Sequence, residues 1–243
     1  MSLTEISTYD VVKKQSMLKI KAFSKVFTAL IIAQIIAMLF SANGAGSFGG
    51  STDLVSYQFY YVTGDLVFIF TLIWAIAIPY GLIKPEQRTI DFTFISNRFT
   101  NHLSNFVFLI LMGIFGALMA FGSSLLLKTL SYLFDSNVYV ESTLSVLDSL
   151  ILIGAMFIYI LLMATLGYII ALLMSLHPIM KVIIPVTIVG LAISEPIHEI
   201  FTHIFQFYAL EASMLMLLVK VMMTVMLLFG TTVLLSDRWE VRS

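Results

Sequence analysis

The chain has no cysteine and only five prolines in 243 residues, and charged residues make up just 11% of it. Without cysteine there is no disulfide framework and no thiolate metal site, and composition leaves no trace of the redox compartment. Ordinary soluble domains carry about 25% charged residues. A chain this poor in charge and 60% hydrophobic would show large apolar patches to water and aggregate. Thirteen basic and fourteen acidic residues nearly cancel, so no bulk attraction to nucleic acid is expected. Catalytic signatures are missing as well. There is no glycine-rich phosphate loop ending in Lys-Ser or Lys-Thr, no Gly-x-Ser-x-Gly and no Cys/His cluster. These absences leave an all-α polytopic membrane protein, read as a single transmembrane domain over 1–243.

What is present is long apolar sequence. A crossing needs about 20 apolar residues. Candidate runs are 26–40 (extendable to Ser41), 66–83, 106–127, 147–176, 182–193 and 214–235. The fifth is short and reaches spanning length only by borrowing 178–181 and part of 195–207. Pro79 lies inside the second run and removes a backbone donor there. Gly113, Gly116, Ala117, Ala120 and Gly122 make the third run rich in small residues, which let helices approach closely in lipid. The glycine-rich stretch 42–51 reads as an exposed loop. The segment 1–25 is polar and lysine-rich, unlike a secretory signal.

Basic residues set the expected orientation. Lys13, Lys14, Lys19, Lys21 and Lys25 precede the first run; Lys84, Arg88 and Arg98 lie between the second and third; Lys181 lies between the fourth and fifth; Arg238 and Arg242 close the chain. The alternate loops hold only Lys128. Six transmembrane helices with both termini cytoplasmic satisfy this bias, and five would not. Asp53, Asp135, Glu141, Glu195, Glu199 and Glu211 then fall on the outer side.

Four features stand out from this frame. Within 1–25, Val11, Val12, Met17, Leu18, Ile20 and Phe23 alternate with lysines, as in an amphipathic interfacial helix or a polar lead-in. The 84–104 segment is longer than a turn needs. It mixes Glu86, Arg88, Asp91 and Arg98 with Phe92, Phe94 and Phe99, which suits either a protein-docking surface or a headgroup-level loop. The 194–212 segment holds Glu195, His198, Glu199 and His203. Histidines five apart diverge by about 500° of helix, so the zinc-protease pattern of four is not met. Glu195, Glu199 and His203 do share a face, as an outer cap, a gate or a weak metal site. Lys220 sits inside the sixth run, either marking a substrate path or snorkelling to the interface. Met214, Met216, Met222, Met223 and Met226 are flexible packing or a methionine pathway.

The order of these parts resembles the membrane subunit of an ABC-2-type exporter: an interfacial lead-in, six spans, a long inner segment after the second, and a polar-interrupted outer segment before the sixth. The stretch 97–106, Asn-Arg-Phe-Thr-Asn-His-Leu-Ser-Asn-Phe, is similar to the start of the third helix in small Gram-positive permeases of this class. The resemblance covers nearly the whole chain as layout. It implies a second copy or a related permease, and two separate ATPase subunits that carry the ATP and Mg, with no cofactor in this chain. It also implies that 84–101 contains the coupling helix, that 196–207 forms short outer re-entrant helices, and that the setting is a bacterial cytoplasmic membrane. Cargo in the family includes peptides, antibiotics, lipids and polysaccharides. Two rivals remain. One is an intramembrane enzyme built on Glu195, His198, Glu199 and His203; the other is a non-transporting scaffold or immunity protein.

Overall fold

The computed structural model describes residues 8–41, 46–51, 56–83, 98–134, 138–139, 144–176, 178–193, 195–211 and 213–239. Among them are eight helices: α1 (Thr8–Ala22), α2 (Ser24–Ser41), α3 (Asp65–Leu82), α4 (Arg98–Phe134), α5 (Val146–Leu176), α6 (Met180–Ile193), α7 (Glu195–Ala209) and α8 (Met214–Trp239). Five are long and apolar enough to cross a membrane: α2, α3, α4, α5 and α8. They mark a membrane-embedded protein, because lipid leaves a spanning backbone no partners outside its own helix. At 14 residues, α6 is only about 21 Å long, short of the roughly 30 Å hydrocarbon core.

Several boundaries differ from the sequence reading. The stretch expected as a loop contains strand β1 (Gly46–Ser51), which pairs antiparallel with β2 (Ser56–Tyr61). A short β3 (Val138–Tyr139) joins β2 in parallel. Pairing with the aromatic-rich β2 recruited a Gly/Ser-rich segment with little strand preference of its own. The third span begins at Arg98, eight residues before its apolar run, and has 37 residues. That is about 55 Å of helix, so it overshoots the hydrocarbon. Residues 98–104 of the expected docking segment are therefore helical. Local caps explain two helix starts. The Ser145 hydroxyl accepts from the Asp148 amide and donates to its carboxylate, a side-chain N-cap at α5. Ser213 receives the Met216 amide at α8.

The chain forms two compact units. The first contains α1, the end of α3, the start of α4, the end of α5, and α6 to α8. The second contains α2, the strands, the start of α3, the end of α4 and the start of α5. In the second, Gln34 joins three helices. Its amide nitrogen donates to Thr71 Oγ1 at 3.2 Å, and its oxygen accepts from Ser123 at 2.9 Å. The Trp74 indole donates to the Val26 carbonyl. Its ring rests on Gly116, where a methyl would stand 3.0 Å from it. Gly113 faces the Phe157 ring in the same way, and Ala117 and Ala120 are buried. Gly122 faces open space.

In the first unit, α3 and α5 cross at Gly167. A methyl there would run into the Ile76 carbonyl and lie 2.9 Å from its Cα. Backbone cannot step aside as a side chain can. We expect Gly167→Ala to lower unfolding stability in detergent by about 1–3 kcal/mol. Gly122→Ala, with nothing to strike, should be neutral or gain up to ~1 kcal/mol in helix propensity. Equal losses in both variants would refute the crossing.

Candidate functional site: a buried polar centre

The inward face of α1 is polar. Val12, Gln15, Ser16 and Lys19 are its buried residues, spaced at i, i+3, i+4 and i+7, whereas Tyr9, Met17 and Leu18 are exposed. The expected lead-in helix exists, but it meets the protein through hydrogen bonds rather than an apolar stripe.

Its partner surface is the first two turns of α4. The Lys19 ammonium donates to Asn101 Oδ1 at 2.8 Å, Ser104 Oγ at 2.7 Å and Asn105 Oδ1 at 2.5 Å. Positions 101, 104 and 105 share one face of the helix, so α4 presents the three oxygens together. Ser16 reaches the Ser104 carbonyl and bonds its own helix at Val12. The Ser104 hydroxyl donates to the Asn101 carbonyl.

From Asn105 the network continues into α5. An ammonium only donates, so the Asn105 oxygen must face Lys19 and its NH2 must face the other way. That nitrogen donates to Tyr168 Oη at 2.9 Å. Tyr168 Oη lies 2.8 Å from His102 Nδ1, with the two rings edge-on. With Nδ1 as acceptor, donors run in one direction from Lys19 through Asn105 and Tyr168 to a neutral imidazole. Tyr168, His102, Asn105, Ser104 and Lys19 are all buried.

This arrangement limits the chemistry. The Lys19 ammonium meets three acceptors on α4, which gives it a holding role. It fastens α1 to α4, and Asn105 carries the tie to α5. Gln15, 2% exposed, has no partner for either side-chain polar atom among the described residues.

Positions singled out from sequence are distributed differently. Glu86, Arg88, Asp91, Phe92 and Phe94 lie outside the described residues, and Arg98 opens α4. Glu195 opens α7, which also carries His198; Glu199 and His203 on the same helix are exposed. No group of three metal-ligating side chains occurs among the described residues. Lys220 reaches back past the start of α8. Its ammonium lies 2.6 Å from Glu211 Oε2 and 3.0 Å from the Phe207 carbonyl, and stands 4.1 Å over the Phe207 ring. Tyr208 and Thr224 share a 2.7 Å bond beside it. Met216, Met222, Met223 and Met226 point outward, while Leu217, Val221 and Val225 form the buried stripe of α8.

The sequence reading passed over Lys19, Asn101, His102, Ser104, Asn105 and Tyr168 as a set. The signal was available: three polar residues at helical spacing just before an apolar run, and one lysine out of phase with its neighbours. No family model, curated protein or solved structure matches the chain.

Two outcomes follow. Lys19→Met strands one buried and one half-buried amide oxygen, and Tyr168→Phe strands the Asn105 NH2 and His102 Nδ1. Each should lower stability by about 1–3 kcal/mol. Thermal unfolding in detergent measures both, and an unchanged melting temperature in either variant would contradict the network.

The second outcome concerns Glu211, which lies between α7 and α8. The hydrogen bond from Lys220, then that from the Ser213 amide, holds its carboxyl below the ordinary value of 4.5. The folded state therefore binds this proton more weakly than the unfolded chain. The pair's contribution is complete above about pH 4.5 and is lost as pH falls through the lowered value. An acid titration of melting temperature should show a low-pH loss that Lys220→Met reduces.

Proposed function

We propose that this chain is the membrane-spanning permease subunit of an ATP-driven ABC exporter with ABC-2 layout. It works with a second copy of itself or a related permease, docked on two separate ATPase subunits that carry ATP and Mg. In this reading α6 is a sixth crossing, both termini are cytoplasmic, and the cell membrane is bacterial. The 84–101 segment, with Glu86, Arg88, Asp91, Phe92, Phe94 and Arg98, meets the ATPase.

The observation that carries the reading is the order of the last three helices. A short apolar α6, interrupted by Pro185, is followed after one residue by α7, and then by the long apolar α8. On α7 the polar positions Glu195, His198, Glu199, Thr202, His203 and Gln206 share one side of the helical wheel. Ile197, Ile200, Phe201 and Ile204 share the other. A polar-edged helix inserted before the last span suits an outer segment bordering a translocation path.

Transport then proceeds by alternating access, driven by closure of the ATPase pair. The charge of Lys220 is already met by Glu211, which leaves it a poor receptor for an ionic cargo. A hydrophobic or amphipathic cargo, such as a peptide, antibiotic or lipid, fits best.

Purification in mild detergent from the native membrane should bring an ATPase with the chain. Arg88→Ala or Phe94→Ala should weaken that association about tenfold, equivalent to ~1.4 kcal/mol. Full retention of the ATPase by both variants would sink the docking assignment.

A further inference from the structure

The Lys19 contacts fix more than the position of α1; they fix its rotation. With Val12, Gln15, Ser16 and Lys19 turned inward, helical geometry sends Lys13, Lys14, Met17 and Lys21 to the opposite side. All four are exposed. Among the described residues, Lys14 and Lys21 have no ion-pair or hydrogen-bond partner, and Lys13 stands 6.0 Å over the Tyr9 ring. Asp10 is the one acid of α1, on this same side. One lysine is thus withdrawn into the protein, and three are left facing out around a methionine.

This face is close in the chain to a membrane helix. Only Phe23 separates α1 from α2, which is long and apolar enough to cross. Lys21 is therefore three residues from the start of a membrane helix. A helix tethered there, with lysines outward and a thioether between them, meets the headgroup layer. Lysine ammonium groups attract anionic headgroups at the surface, and their stems cover apolar area beneath.

We propose that the outward face of α1, Lys13, Lys14, Met17 and Lys21, is a docking surface for anionic phospholipid headgroups. Lys19 sets the register that presents it. The inference rests on the membrane embedding of the chain and not on the exporter reading. It survives or fails without any ATPase.

The lack of cysteine gives a clean test. Met17→Cys, labelled with a small fluorophore, places a single probe at the centre of the face. The full chain is reconstituted in phosphatidylcholine nanodiscs containing a minor fraction of brominated phosphatidylglycerol or of brominated phosphatidylcholine. Local enrichment should run to roughly fivefold per engaged lysine, so the anionic quencher should act several-fold more strongly. The excess should fall to near unity after Lys13→Gln, Lys14→Gln and Lys21→Gln together, and in 0.5 M salt, which screens surface charge. These exposed positions leave the fold intact, as an unchanged melting temperature would verify. Equal quenching by the two lipids would overturn the proposal. So would an excess that survives the triple replacement. Absence of quenching by either lipid would mean that water or an acidic protein covers the face, and would overturn it too.

Discussion

Hydrocarbon offers no hydrogen bond, so a polar side chain buried among these helices is costly unless it finds a partner within the protein. Three such groups tie the helices together. Gln34 spans α2, α3 and α4 through one donor and one acceptor. Lys19 brings α1 onto α4, and Asn105 extends the tie to α5. Lys220 folds α8 back onto the end of α7. Apolar contact alone does not fix register in lipid, because acyl chains are as apolar as leucine. Directional polar contacts do. Interhelical bonds of this kind contribute about 0.6–2 kcal/mol each. Their larger effect here is to choose one helix rotation among several that apolar packing would accept.

Close approach supplies the complementary constraint. Gly167 lets α5 touch the α3 backbone at Ile76, and Gly116 and Gly113 receive the Trp74 and Phe157 rings. The Trp74 ring is held in turn by its bond to the Val26 carbonyl. Small residues and polar contacts therefore work on the same helices. The first permit contact, and the second decide which contact.

Legibility from sequence followed the range of the forces involved. Composition and run length were enough to expect the five long helices, because crossing length is a local property. Close packing at Gly113 and Gly116 was also legible, although Gly122, of the same type and on the same helix, faces open space. Small size permits contact without specifying it. The start of α4 was hidden because Asn101, Ser104 and Asn105 lower local hydropathy while remaining helical. Strand β1 was hidden because its pairing depends on Ser56–Tyr61 rather than on its own glycines and serines. The polar centre was hidden for the same reason at greater range. Lys19 lies 82 to 86 residues from its three acceptors, and only its phase on α1 sets it apart from Lys14 and Lys21.

The polar centre also bears on how force would travel if an ATPase docks on 84–101. That segment runs into the opening turns of α4, which carry Asn101, Ser104 and Asn105. A displacement of those turns cannot leave α1 behind without breaking the three bonds of Lys19, nor leave α5 behind without separating Asn105 from Tyr168. Breaking them would strand a buried ammonium, and an uncompensated buried charge is far more costly than a lost neutral bond. The inner parts of α1, α4 and α5 would therefore move together. The basic face of α1 would travel with them across the headgroup layer, so lipid charge would act on the same moving body as the ATPase. On this view, the few charges left in a chain so poor in them are concentrated where mechanical work would enter it.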